Sequence, residues 1–306
     1  MLIETLSESD LDRLLRDEGV HLDTGAWTVH LRLRVPGLPR HIAEMYGAYS
    51  IAEPNTIADA SVSLEQKRSW PNFTRSHIKV QIDEQRNFDA VSTDVAYATF
   101  ESALNWSMAL SDVAPLLVHA AVLERNGRAL LLPGPSGTGK STLCAALACS
   151  GWRLFSDEVG VFRPDDLSLA PNPRPVSLKN DAIDTIRSRF PSAHIGPTIR
   201  GTPKGNIAYM RPPRDAIQHA REPAPAGTIM LPIYQARAAT SARRLSFVDS
   251  FRLLTDNTVN YASMLQFGFD AMTRLVDRCH CYAFVYSELD EALDIIDGLH
   301  RRDGPV

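Results

Sequence analysis

The sequence predicts an α/β fold over residues 113–306, preceded by a smaller α+β domain over residues 1–112. Three observations carry this reading. Gly134 to Ser141 read G-P-S-G-T-G-K-S, the spacing of a phosphate-binding P-loop. An apolar run suited to a buried strand, Ala129 to Leu132, precedes the loop, and Thr142 to Ala148 has the composition of a helix leaving it. From Leu116 onward apolar strands alternate with loops and helices, whereas the first hundred residues hold short segments of alternating polarity.

In chain order, Ser9 to Glu18 reads as an amphipathic helix ended by Gly19. Trp27 to Val35 alternates apolar and polar residues as a half-buried strand does, and parts of Ile57 to Leu64 and His77 to Ile82 do the same. Pro36, Gly37 and Pro39 break the first strand ahead of a short helix at His41 to Tyr46, and a longer helix is expected at Val95 to Leu110. Leu116 to Leu123, carrying His119, is expected to pair with Ala129 to Leu132 around a turn at Asn126-Gly127. Proline-rich stretches at Pro171 to Pro175, Pro191 to Pro203 and Pro212 to Pro225 read as loops or ordered coil. The last quarter predicts helices at Phe247 to Asp256 and Tyr261 to Arg278, a strand at Cys279 to Tyr286 and a helix at Leu289 to Leu299. Trp106, Phe267 and Phe269 are expected in the core.

The loop residues have definable tasks. Gly134, Gly137 and Gly139 permit backbone dihedrals that turn successive N–H groups towards phosphate oxygens, and the following helix presents its positive end. Pro135, Ser136, Thr138 and Thr142 complete the cradle expected to hold ATP. Lys140 is expected on the terminal phosphates and Ser141 on Mg²⁺. After the helix, Trp152 to Glu158 runs from a strand into an acidic pair; Asp157 is the expected Mg²⁺ partner and Glu158 the expected acceptor of a proton from an attacking hydroxyl. Lys204, in T-P-K-G-N, is a candidate cation for the transferring group, together with Arg200, Arg211 and Arg214.

A histidine on a strand, a hairpin, a G-x-x-G-x-G-K-S loop and a G-x-R-L-x-x-D-[DE] stretch together resemble the catalytic domain of HPr kinase/phosphorylase, a serine kinase distantly related to phosphoenolpyruvate carboxykinase. The likeness is specific from about Val118 to Val161, and Asn172 to Lys179 and Thr202 to Asn206 are similar to a divergent HprK-related kinase group. The resemblance implies active-site roles for His119, Lys140 and Glu158, an ATP- and Mg²⁺-dependent transfer to serine on a small protein or peptide, and an oligomer. Pro232 to Arg237 stands where the family has an arginine-rich motif, with Tyr234 at an arginine position; this departs from the pattern needed for reverse phosphorolysis. A further metal ligand in Asp181 or Asp184 is also open.

Composition narrows the class. The 306 residues carry 32 basic and 36 acidic side chains, so no global field favours nucleic acid or an anionic membrane. The start lacks the pattern of a signal peptide, which with four cysteines read as structural leads us to expect a cytoplasmic protein. Two other readings are compatible with the same residues: a P-loop kinase acting on a small metabolite, and a nucleotide sensor that transfers nothing.

Overall fold

The computed structural model describes residues 1–53, 55–68, 76–83, 86–111, 115–135 and 137–302, with the backbone alone at 68 and 86–91. The chain is mixed α/β, its strands gathered into several sheets with both parallel and antiparallel pairs. Among the described residues no helix is long and apolar enough to cross a membrane.

The first elements are α1 (Glu8–Arg16), β1 (Val20–Asp23), β2 (Thr28–Arg34), α2 (Leu38–Tyr46), β3 (Ser50–Ile51), β4 (Ala60–Arg68), β5 (Ser76–Ile82), β6 (Arg86–Ser92) and α3 (Ala96–Ala109). The strands form one sheet in the order β3-β1-β2-β4-β5-β6. Strand β2 follows its alternation: Val29, Leu31 and Leu33 are buried while Arg32 and Arg34 face out. Helix α1 starts where Ser7 accepts the N–H of Asp10 at 3.1 Å, and Gly19, at φ 83°, ends the run by donating to the carbonyl of Leu14. Glu101 of α3 is buried and accepts hydrogen bonds from the Tyr46 and Tyr97 hydroxyls at 2.8 and 2.7 Å. Trp106, expected in the core, is instead 53% exposed on the same helix.

The remaining elements are β7 (Leu116–Val118), β8 (Ala120–Arg125), β9 (Arg128–Pro133), α4 (Lys140–Cys149), β10 (Arg153–Ser156), β11 (Gly160–Phe162), β12 (Ser168–Ala170), β13 (Val176–Lys179), α5 (Asp181–Arg189), β14 (Ile199–Thr202), β15 (Gly205–Met210), α6 (Arg214–Gln218), β16 (Ala224–Tyr234), β17 (Ser241–Arg244), α7 (Phe247–Asp256), α8 (Leu265–Arg278), β18 (His280–Tyr286) and α9 (Leu289–Arg302). Two compact units divide the chain. One comprises Met1–Ala114, Ser177–Asp184 and His194–Arg211; the other comprises Pro115–Val176, Thr185–Ala193 and Pro212–Val306. The boundary expected at residues 112 and 113 falls outside the described residues.

The second unit is organised around β16. Its two long neighbours, β9 and β18, run parallel to it, and β8 and β10 extend the sheet antiparallel beyond β9. The carboxyl ends of β9, β16 and β18 therefore meet at one edge, the edge at which open α/β sheets bind ligands. Leu131 joins a core cluster with Val122, Ile229, Met272 and Leu275, while Leu130 and Leu132 are equally buried on the opposite face. Burial on both faces is why β9 reads as an unbroken apolar run.

Three details of the sequence reading change. Leu116 to Leu123 is not one strand: β7 pairs with β11, and the hairpin with β9 begins only at Ala120. The hairpin turn itself is at Asn126-Gly127, with φ of 55° and 75°, as a two-residue turn of this hand requires. Tyr261–Met264 is a separate 3-10 turn, because Leu265 at φ 48° interrupts the helical path before α8. Phe267 and Phe269, expected in the core, lie 38% and 50% exposed, since the stripe of α8 that packs inwards is Ala271, Met272, Leu275 and Val276.

Candidate phosphate-loop site

The loop between β9 and α4 has the backbone its glycines were expected to supply. Gly134, Gly137 and Gly139 take φ of 143°, 94° and 92°, values other residues adopt only under strain. Gly139 caps α4, so that Lys140 is its first residue and Ser141 and Thr142 fill its first turn. Thr138 closes the loop on itself by donating its hydroxyl to the Pro135 carbonyl at 3.1 Å. Ser136 lies outside the described residues.

Lys140 is buried, and its ammonium donates to the Gly134 carbonyl at 2.7 Å and to His119 Nε2 at 2.9 Å. The same ring nitrogen lies 3.3 Å from Glu158 Oε2. One imidazole nitrogen cannot accept from an ammonium and donate to a carboxylate at once. With Lys140 docked as it is, Nε2 is the acceptor of its ammonium.

His119 reaches this point because it lies between strands rather than on one. Its N–H donates to the Asn257 carbonyl at 2.7 Å, where the chain leaves β7 and enters β8. Asn260 holds the approach to that break, accepting the Leu117 N–H at 3.0 Å and donating to the Pro115 carbonyl at 2.8 Å. Asn257 and Asn260 are contributors that the sequence reading missed. Their only signal was polar residues between two apolar helices.

Asp157 and Glu158 follow β10, which is irregular against β8 between Leu154 and Ser156. The Ser156 hydroxyl accepts the Val159 N–H at 3.1 Å and fixes the turn that carries the pair. Asp157 is buried and Glu158 has a side chain 23% exposed, so one carboxylate is sheltered and the other faces the loop mouth. Cys144, one turn along α4 from Lys140, is buried beside Asp157; burial first, then the charge of Asp157, pushes its thiol well above the ordinary range. A thiol so placed is inert as a nucleophile.

On the other flank, the Tyr234 N–H donates to the Thr138 carbonyl at 3.1 Å, and the Tyr286 hydroxyl donates to the Gly139 carbonyl at 3.2 Å. These two tyrosines end β16 and β18. Sequence reading met Tyr234 only as a departure from a motif and Tyr286 as the end of a strand.

The candidate cations of the proline-rich stretch are divided between the two units. Lys204 is exposed on the tight turn between β14 and β15, its N–H bonded to the Thr202 hydroxyl, in the first unit with Arg200 and Arg211. The guanidinium of Arg211 donates to the Glu44 carbonyl of that unit, whereas Arg214 is exposed at the start of α6 in the second. Asp181 and Asp184 are exposed on the first turn of α5.

No protein-family model and no curated protein matches the chain.

Proposed function

We propose that the second unit is an ATP-dependent kinase domain of the HPr kinase-like P-loop type, which transfers the γ-phosphate to a hydroxyl, serine on a small protein or peptide. The observation that carries this reading is the meeting of Lys140, His119 and Glu158 at the mouth of a three-glycine loop, although the three lie on separate segments of the chain. Phosphoryl transfer asks a protein for phosphate donors, a cation and one proton acceptor, and those are the groups assembled here.

The residues fit a nucleoside triphosphate and Mg²⁺. Lys140 donates to a carbonyl and to an imidazole, and a phosphate oxygen would offer its ammonium a charge-assisted bond. Among the described residues no cluster of three or more His, Cys, Asp or Glu forms a cage for a metal; Mg²⁺ in such enzymes is bound by one or two carboxylates with the phosphates, a part suited to Asp157 with the Ser141 hydroxyl. Bound there, Mg²⁺ would neutralise charge on the phosphates.

Each residue then has a step. The Gly134–Ser141 backbone and the amino end of α4 hold the phosphates, and Lys140 leaves His119 to engage the terminal one. Glu158 takes the proton of the attacking hydroxyl. His119, released by Lys140, donates from Nε2 to Glu158 and steers it. Because His119 answers to both Lys140 and Glu158, the carboxylate is oriented for proton transfer only once Lys140 has found phosphate.

The test separates transfer from sensing. Glu158→Gln should bind ATP as the wild type does and lose transfer, whereas Lys140→Ala should lose binding. A Glu158→Gln protein that transfers phosphate at the wild-type rate contradicts the proton-acceptor role of Glu158, and a wild type that binds ATP and transfers phosphate to nothing contradicts the kinase reading. Transfer to a small hydroxylated metabolite but to no polypeptide would keep the chemistry and replace the acceptor.

A further inference from the structure

We propose that Tyr234 is the stacking platform for the base of the bound nucleoside triphosphate, and that the site therefore selects a large, flat base such as a purine. The proposal rests on the nucleotide reading of the loop and adds to it where the nucleoside lies and what holds it.

The sheet order fixes the side. His119 leads into β8 and Glu158 follows β10, the strands that flank β9 on one side, and β16 pairs with β9 on the other. The reacting end of a polyphosphate must face the carboxylate that receives the proton. Its nucleoside end must then leave on the β16 side. Because β9 and β16 are parallel, the last residue of β16 stands at the same edge as the loop, and that residue is Tyr234.

The backbone there is bolted on both sides. Tyr234 N–H bonds the loop at Thr138, and the next N–H, of Gln235, bonds the Tyr286 carbonyl at 2.9 Å. Tyr234 as a residue nevertheless stays 54% exposed. It meets Tyr286 edge to face at 5.5 Å, and Tyr286 is itself tied to Gly139. The fit is close: a Cβ on Gly139 would come within 2.0 Å of the Tyr286 hydroxyl and 3.2 Å of Tyr234 Cβ. A half-exposed aromatic residue whose backbone is bonded to a phosphate loop can offer a base a surface at little entropic cost. Other exposed aromatics of this unit, such as Phe247 and Phe269, belong to α7 and α8 and make no such bond to the loop.

The test compares two probes on the full-length protein by calorimetry, Mg²⁺-ATP and Mg²⁺-tripolyphosphate, the second having phosphates and no base. Tyr234→Ala should weaken ATP by roughly 5- to 150-fold, the range of an aromatic–base stack, and leave tripolyphosphate unchanged. Tyr234→Phe should bind ATP as the wild type does. Loss of affinity for both probes in Tyr234→Ala would mean a disturbed loop, and no loss for either would mean no stacking; each overturns the proposal while leaving the phosphate site standing. A folded wild type that binds neither probe would overturn the nucleotide reading and this inference with it.

Discussion

At the scale of single residues the account turns on one shared nitrogen. His119 Nε2 lies 2.9 Å from Lys140 and 3.3 Å from Glu158 and can satisfy only one of them, which on the proposed function couples a ligand at Lys140 to Glu158. Glu158→Gln should lower the rate of transfer by about 10²- to 10⁴-fold, the usual worth of a general base, with ATP affinity retained in a binding titration. In the first unit, Tyr97 and Tyr46 both donate to buried Glu101, and burial, then the Glu101 charge, raises the Tyr97 phenol well above its ordinary value. Tyr97→Phe leaves that carboxylate one donor short. It should cost about 1.5–3 kcal/mol in denaturant unfolding, the range for a hydrogen bond to a charged group. These roles were unevenly legible in the sequence. Lys140 and Glu158 announce themselves by motif and spacing, whereas Asn257 acts through its own carbonyl and Asn260 and Tyr286 through side-chain bonds to distant backbone groups, which no motif encodes.

At the scale of elements, the strand–loop–helix unit of β9 and α4 is where local sequence and local structure agree most closely. An apolar run buried on both faces, three glycines at positive φ and an alanine-rich helix each specify their own conformation. Gly139→Ala tests this directly. A left-handed backbone costs a non-glycine residue about 1–2 kcal/mol, and here the new methyl also meets the Tyr286 hydroxyl. The variant should be less stable in thermal unfolding and lose ATP binding, and Tyr286→Phe in the same chain should restore only part of the stability, because the dihedral remains. The break at His119 was not legible, since Leu116 to Leu123 is apolar but for that one histidine, which a half-buried strand also accommodates. The break exists because β7 pairs with β11 and β8 with β9 and β10, a decision made by distant partners. The aromatics of α8 failed for the opposite reason. Their hydrophobicity suggested burial, but two residues apart they cannot share one helix face, and the stripe at helical spacing is Ala271, Met272, Leu275 and Val276.

At the scale of the whole molecule, the phosphate-loop groups all belong to the second unit, so the chemistry needs that unit folded. His300 of α9 makes its stability depend on pH. The ring is buried, donates from Nε2 to the Arg125 carbonyl at 3.1 Å and accepts the Thr228 hydroxyl at Nδ1 at 3.2 Å; burial pushes its pKa below the ordinary 6.5. The unfolded chain then takes up a proton that the folded chain refuses. Stability should fall as pH drops through 6.5 towards the depressed folded value, and be indifferent to this group above 6.5, where both states are neutral. His300→Gln should flatten the decline in denaturation midpoint between about pH 7 and about pH 5.5. The central claim, that Lys140 and its loop serve phosphoryl transfer to a polypeptide, is tested most directly by incubating the protein with γ-labelled ATP, Mg²⁺ and a soluble protein fraction, beside the Lys140→Ala variant. The account predicts label on a polypeptide with wild type and none with the variant; equal labelling by both, or ATP bound by the wild type with no label passed to any polypeptide, would contradict it.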